Sequence, residues 1–171
     1  DFHAHNDYDL SVANVMEAVK AGVHSLHLTV NGMGERAGNA PLASVIAVLN
    51  DYQKDVTTSV VEKSLYSVSK LVENFSGFRI SVNKPIVGEN VFTQTAGIHA
   101  DGDKKNQLYF NELMPERFGR KRKYALGKTS GKANIENNLQ QLGIHLSDED
   151  LKKVTQRIIE LGDRKETVTQ A

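Results

Sequence analysis

The chain has 171 residues, fewer than the roughly 250 that a complete (β/α)₈ barrel needs, so its length excludes a whole enzyme of that type. Its 21 basic and 21 acidic residues cancel, which removes the electrostatic basis for binding nucleic acid or an anionic membrane. Cysteine is absent, which excludes disulfides, thiolate metal sites and cysteine nucleophiles, and no apolar run approaches the ~20 residues that cross a bilayer.

The first part of the chain has the alternation of strands and helices that is typical of α/β proteins. Apolar residues recur at helical spacing over residues 10–21 and again over 41–52, and they alternate with polar residues over 24–30. The loop 31–40 is rich in glycine, and Pro41 suits the first turn of the helix that follows. The order strand end, helix, strand, loop and helix predicts consecutive βα units.

The later part of the chain is predicted to be mainly helical, with a boundary near residues 55–62. An amphipathic helix is expected over residues 62–76, and it carries an apolar side made of Leu65, Val68, Leu71, Val72 and Phe75. Residues 78–115 have little periodicity and predict extended loops with short helical turns.

Two further helices are expected near the C-terminus. A short strand over residues 123–127 precedes a helix over 130–142 and another over 147–161. Ser147 and Asp150 have the spacing of a capping box at the start of the last helix. The polar tail after residue 161 is expected to be frayed.

The first candidate site is the N-terminal stretch DFHAHND. His3 and His5 are two residues apart, so on an extended strand both imidazoles point to the same face. Two neutral imidazoles on one face are a good start for a divalent metal site, although isolated pairs of this kind are often ordinary surface or core residues. Asn6 and Asp7 add polar groups at the strand end, which is where barrel enzymes build their sites.

The second candidate is the glycine-rich loop NGMGERAGNA, residues 31–40. Its glycines allow tight turns and a close approach of the backbone to a ligand, and Asn39 lies just before a helix. The alternative is a sharp strand–helix connection in which Asn39 has a capping role. A nucleotide-binding loop is disfavoured, because neither the dinucleotide nor the P-loop pattern is satisfied.

The third candidate is TAGIHAD, residues 95–101. His99 lies in a glycine-flanked loop, and Tyr109 follows ten residues later beside Phe110. Taken singly, a loop histidine is usually solvated and an aromatic pair usually packs.

Four motifs together resemble one enzyme family far more specifically than each does alone. HAHND, GERAGNA, GIHADG and GKTSG occur in this order, and the resemblance runs over essentially the whole chain. Together they resemble the 2-isopropylmalate, homocitrate and citramalate synthases of the DRE-TIM metallolyase superfamily. That resemblance implies an acyltransferase that condenses acetyl-CoA with a 2-oxo acid, and a cytoplasmic enzyme of amino-acid biosynthesis.

The resemblance also implies roles for individual residues. His3, His5 and Asn39 match the positions that bind the catalytic divalent cation, which would be manganese, magnesium or zinc. His99 matches the histidine of the family's GxH loop, and Tyr109 is the best match for the tyrosine that assists it. In the family these two groups complete the site of the neighbouring subunit, so the resemblance implies a homodimer.

Departures from the family pattern define the expected fold. The family's opening Asp-Arg-Glu strand and its mid-barrel acid have no counterpart here. Residues 1–58 therefore resemble strands seven and eight of a (β/α)₈ TIM barrel with their helices, and residues 59–171 resemble the mainly helical post-barrel subdomains. We expect this incomplete chain to be inactive alone.

The resemblance leaves the substrate open. Leucine-pathway 2-isopropylmalate synthase is favoured only as the commoner activity, and citramalate synthase, which would use pyruvate, is the alternative. A non-catalytic module for metal binding or dimerisation is a second class. A metal-dependent hydrolase is a third, but it needs further ligands that His24, His27 and His145 do not obviously supply.

Overall fold

The computed structural model describes residues 1–94, 112–166 and 168, which form two compact units. The first unit comprises residues 1–91 together with 112–120, and the second begins at residue 92 and continues from residue 121. Within the described residues, no helix is long and apolar enough to cross a membrane.

The first unit begins with a βαβ arrangement. Strand β1 (Phe2–His3) pairs in parallel with β2 (Leu26–His27), and helix α1 (Ser11–Lys20) connects them. This arrangement confirms the predicted α/β order. The predicted strand over residues 24–30 is too long, because the backbone turns into a 3₁₀ segment at Val30–Gly32.

A small apolar core holds this arrangement together. Helix α2 (Leu42–Tyr52) buries Val45 and Leu49 against α1 and the strands, and Ile46 is also buried. The spacing of these residues on one helical face is the amphipathic pattern read from the sequence. The other buried members of this core are Ala4, Val15, Met16 and Ala40.

Helix α3 (Leu65–Ser76) continues a 3₁₀ turn at Glu62–Ser64 and ends at Gly77, whose φ of 71° lies in the left-handed region. Its orientation differs from the expected one. The buried side consists of Leu65, Ser69 and Glu73, one turn apart, whereas Leu71 and Phe75 are 51% and 82% exposed. The expected apolar side is therefore mostly solvent-facing in this chain.

The second unit pairs a short parallel ladder with two helices. Strand β3 (Thr93–Gln94) lies beside β4 (Lys123–Tyr124), and helices α4 (Lys132–Gln141) and α5 (Asp148–Asp163) follow. The core between these helices consists of Ile135, Leu151 and Ile158.

One prediction holds at the start of helix α5, and another fails in the segment that follows the helix. Ser147 caps the helix as predicted, since its Oγ accepts a hydrogen bond from the backbone N–H of Asp150 at 3.1 Å. The expectation of a frayed tail is wrong for Val168, which forms an antiparallel bridge with Leu126. Gly162 lies against the backbone of Lys128, where a Cβ would meet the amide nitrogen at 2.2 Å.

Candidate functional site

His3 and His5 bring their imidazole rings together at the end of β1. Their Nε2 atoms are 3.3 Å apart, and the ring centroids are 4.9 Å apart at an interplanar angle of 76°. Two imidazole nitrogens bound to one cation at about 2.1 Å lie about 3.0 to 3.4 Å apart. The separation of the two Nε2 atoms falls within this range.

Asn39 is carried to the same place by the backbone. It forms an isolated antiparallel bridge with His5, and the next residue, Ala40, donates its N–H to the carbonyl of Ala4 at 3.0 Å. The Asn39 side chain is 8% exposed, and its Nδ2 donates to the carbonyl of Met33 at 3.2 Å. That bond identifies Oδ1 as the free end of the amide.

Two buried polar atoms in this cluster lack a hydrogen-bond partner among the described residues. They are Asn39 Oδ1 and His5 Nδ1. A buried acceptor without a partner costs about 1–3 kcal/mol, so such atoms are rare in folded proteins unless a ligand or water satisfies them. The orphaned oxygen of Asn39 is the kind of donor that a divalent cation accepts.

The glycine-rich turn is shaped by close packing around Asn39. A Cβ on Gly34 would lie 2.4 Å from Asn39 Nδ2, and one on Gly38 would lie 2.1 Å from the carbonyl oxygen of Gly32. Gly38 also has a φ of 87°, in the region that side chains disfavour. The glycines of GERAGN are therefore required by the fold of this turn.

Asp7 and Arg36 fasten the turn to the N-terminal strand. Arg36 donates from Nε to Asp7 Oδ1 at 2.8 Å and from Nη2 to Oδ2 at 3.0 Å. The Arg36 guanidinium, through these hydrogen bonds, holds the pKa of the Asp7 carboxyl below its ordinary value. The acidic residue of HAHND thus takes part in an ion pair with the second motif.

Asn6 has a structural role that sequence reasoning missed. Its Oδ1 accepts hydrogen bonds from the Oγ of Ser11 at 2.6 Å and from the N–H of Ser11 at 3.2 Å. These bonds satisfy a donor in the first turn of α1. Asn6 therefore positions the helix that joins the two strands.

His27 lies beside the histidine pair. It faces His3 in the parallel register, with ring centroids 5.9 Å apart, and its Nε2 is 3.6 Å from a carboxylate oxygen of Asp1. Even so, the described residues contain no group of three or more His, Cys, Asp or Glu side chains that could hold a metal ion. What they bring together is two imidazole rings and, through its backbone bridge to His5, Asn39.

The two predicted catalytic residues lie outside the described part of the chain. His99 and Tyr109 both fall within residues 95–111. Their roles therefore stay predictions.

Two family models match successive parts of the chain. The HMGL-like family model matches residues 1–72, and a model described as homocitrate synthase post-HMGL domain-like matches residues 86–166. The first of these is a TIM-barrel family. The two matched regions follow one another in the order of a barrel and a post-barrel domain.

Curated relatives include two kinds of synthase. A putative (R)-citramalate synthase of Methanopyrus kandleri is 43% identical over 169 residues, covering 99% of this chain and 33% of the relative. A probable 2-isopropylmalate synthase of Archaeoglobus fulgidus is 42% identical over 171 residues, covering 99% of this chain and 34% of the relative. An (R)-citramalate synthase of Methanocaldococcus jannaschii is 41% identical over 169 residues, with 99% and 34% coverage.

The chain spans about a third of the length of these relatives. Both family models and both kinds of relative indicate the same enzyme family. The chain belongs to the DRE-TIM family that includes the 2-isopropylmalate and citramalate synthases.

Proposed function

We propose that this chain is part of an enzyme that condenses acetyl-CoA with a 2-oxo acid and then hydrolyses the thioester. The observation that carries the proposal is the convergence of His3, His5 and Asn39, with a buried unpaired amide oxygen, in a chain of this family. The proposed activity is that of a 2-isopropylmalate synthase in leucine biosynthesis. Citramalate synthase is supported equally, because relatives of both kinds are 42–43% identical.

The proposed cation ligands are His3, His5 and Asn39. The two Nε2 atoms and Asn39 Oδ1 supply neutral donors, and the ion pair between Asp7 and Arg36 keeps the Asn39 turn against the histidine strand. A divalent cation held there, manganese, magnesium or zinc, supplies Lewis-acid polarisation of the 2-oxo acid carbonyl.

Acid–base roles are assigned by motif to the residues beyond this cluster. His99 would take a proton from the methyl group of acetyl-CoA, and Tyr109 would assist. We propose that both groups act on the partner subunit's site, so that the functional unit is a homodimer.

The proposed placement in the fold follows from the motif order. Residues 1–58 would supply the seventh and eighth strands of the barrel with their helices, and residues 59–171 would supply the post-barrel subdomains. The parallel pairing of β1 with β2 through α1 supports this placement, because neighbouring barrel strands are joined in that way.

Cobalt(II) binding by the 171-residue chain tests the proposed ligand set directly. Titration followed by visible absorption should reveal one saturable site whose affinity falls about tenfold or more in His5→Ala and in Asn39→Ala. His145→Ala is the matched control, because it removes an exposed imidazole far along the chain, between α4 and α5. Unchanged binding in His5→Ala, or no saturable site in the wild-type chain, would contradict the proposal.

A further inference from the structure

A cavity in the first unit is lined by none of the proposed cation ligands. Its volume is about 450 Å³, and its walls are the glycine-rich turn over residues 31–38 and the segment over 78–84. Arg36, Arg79 and Lys84 line it, and the described lining includes no carboxylate. A cavity of this size is within the range of small-molecule sites.

The buried polar side of helix α3 is hydrogen-bonded to both walls of this cavity. Asn31 and Ser69 exchange hydrogen bonds, with Asn31 Nδ2 donating to the Ser69 carbonyl at 3.0 Å and Ser69 Oγ donating to Asn31 Oδ1. Glu73 Oε1 accepts the backbone N–H of Ile80 at 2.9 Å. One helix therefore holds the two walls at a fixed separation.

The positive charge in the cavity is only partly neutralised. Arg36 is engaged with Asp7, whereas neither Arg79 nor Lys84 forms an ion pair within 4 Å with another described residue. Glu73 pairs directly with Lys70, whose hydrogen bond lowers the pKa of the Glu73 carboxyl, and the charge of Arg79 adds to that lowering. The Lys84 ammonium reaches the opposite wall, since it lies 3.3 Å from the position of a Cβ on Gly32. Two cations that form no direct ion pair within the described part of the chain and line one cavity attract a doubly charged anion.

We propose that this cavity binds a phosphate group. Phosphate carries close to two negative charges at neutral pH and presents several acceptor oxygens, which suits a guanidinium fork beside an ammonium. Phe78 lines the same cavity and is 70% exposed, so its ring is available to an aromatic base attached to the phosphate. The source is either the phosphorylated nucleotide of coenzyme A, which rests on the proposed function, or free phosphate.

Calorimetric titration of the 171-residue chain at low ionic strength tests this site. The probes are adenosine 3′,5′-bisphosphate, inorganic phosphate and pantetheine, which lacks phosphate. Both phosphate-bearing probes should bind and pantetheine should not. The double variant Arg79→Gln with Lys84→Gln should weaken binding by about a hundredfold, because each change removes a charged hydrogen-bond donor.

Lys54→Gln is the matched control, because it removes one exposed positive charge from the same unit outside the cavity. Tighter binding of the bisphosphate than of inorganic phosphate assigns the site to a nucleotide, and equal binding assigns it to free phosphate. The proposal is overturned if neither phosphate-bearing probe saturates, or if Lys54→Gln weakens binding as much as the double variant. The titration contains no metal and no 2-oxo acid, so its failure is separate from failure of the proposed activity.

Discussion

At the scale of single residues, Arg117 shows how a partly buried charge connects distant parts of the first unit. Its guanidinium donates to Glu62 at 2.6 and 2.7 Å and to Asp51 at 2.6 Å, and it is only 19% exposed. Burying a guanidinium is costly unless its donors are satisfied, and here two carboxylates and the carbonyl of Ala47 accept from it. Removing one carboxylate therefore leaves a charge partly unpaired.

The Glu62 carboxylate makes the stability of the fold depend on pH. The hydrogen bonds from Arg117 hold the pKa of Glu62 below its ordinary value. The stabilisation is complete above the unfolded pKa of about 4.3 and is lost as the pH falls through the folded pKa. The free energy of unfolding should therefore decline below about pH 4.3, and Glu62→Gln should make that decline shallower. Urea denaturation at several pH values checks this, and equal slopes in the two proteins would refute it.

Substitutions at Gly38 and Gly77 distinguish the energetic cost of a positive φ from the cost of a steric clash. Both have a positive φ, but a Cβ on Gly38 meets the Gly32 carbonyl at 2.1 Å, whereas nothing lies within 4 Å of one on Gly77. Gly77→Ala should cost about 1–2 kcal/mol for its φ alone. Gly38→Ala should cost clearly more than that, measured as the difference in free energy of unfolding. Equal losses in the two variants would show that the turn yields to the added methyl group.

At the scale of elements, helix α3 shows where amphipathic patterning misleads. Counting apolar residues places Leu71 and Phe75 on the buried side, yet both are mostly exposed. The buried side instead carries Ser69 and Glu73, because their hydrogen bonds to Asn31 and to the Ile80 amide satisfy them inside the unit. A hydropathy pattern cannot predict the burial of polar residues whose hydrogen bonds are satisfied only in the folded protein.

Ser69→Ala tests the buried polar side of α3. Ser69 is 1% exposed, and its loss leaves the Asn31 amide oxygen without its donor, which should destabilise the fold by about 1–3 kcal/mol. Ser67→Ala on the same helix is the control, since Ser67 is exposed and, among the described residues, its hydroxyl bonds only the carbonyl of Ser64 in its own turn. Its cost should stay within about 0.5 kcal/mol. Thermal unfolding of both variants gives the comparison, and similar losses would count against this orientation of α3.

Sequence motifs predicted those structural features whose contacts join residues close together in the chain. The capping box at Ser147 and Asp150 was predicted because its contact spans three residues. The proximity of His3 and His5 follows from their spacing on a strand. The interior amides of α4 were not predicted, because Asn138 and Asn134 donate to the carbonyls of Tyr124 and Ala125 on the preceding strand and its end.

Longer contacts could not be predicted from a single sequence. The hydrogen bonds of Arg117 reach residues 55 and 66 positions away, and no motif marks them. The family resemblance indicated Asn39 as a partner of the two histidines. The Asp7–Arg36 pair, and the lack of a described partner for Asn39 Oδ1, depend on the folded backbone and have no sequence signal.

At the scale of the whole molecule, we propose that the chain carries part of a site. The described residues supply two imidazoles and an amide oxygen but no cluster of three or more His, Cys, Asp or Glu ligands. The curated relatives are about three times as long as this chain. We therefore expect the 171-residue chain with metal, acetyl-CoA and a 2-oxo acid to release no more thiol than its His3→Ala variant.

A chimeric enzyme tests the central claim most directly. In it, this chain replaces the matching third of the 2-isopropylmalate synthase of Methanocaldococcus jannaschii, which is 40% identical over 171 residues. We expect thiol release from acetyl-CoA with 2-oxoisovalerate, unchanged in His145→Ala and reduced by about 10²–10⁴-fold in His99→Ala, the range for loss of a general base. His3→Ala should likewise abolish turnover. A chimera that turns over at the same rate after His3→Ala and His99→Ala would contradict the account.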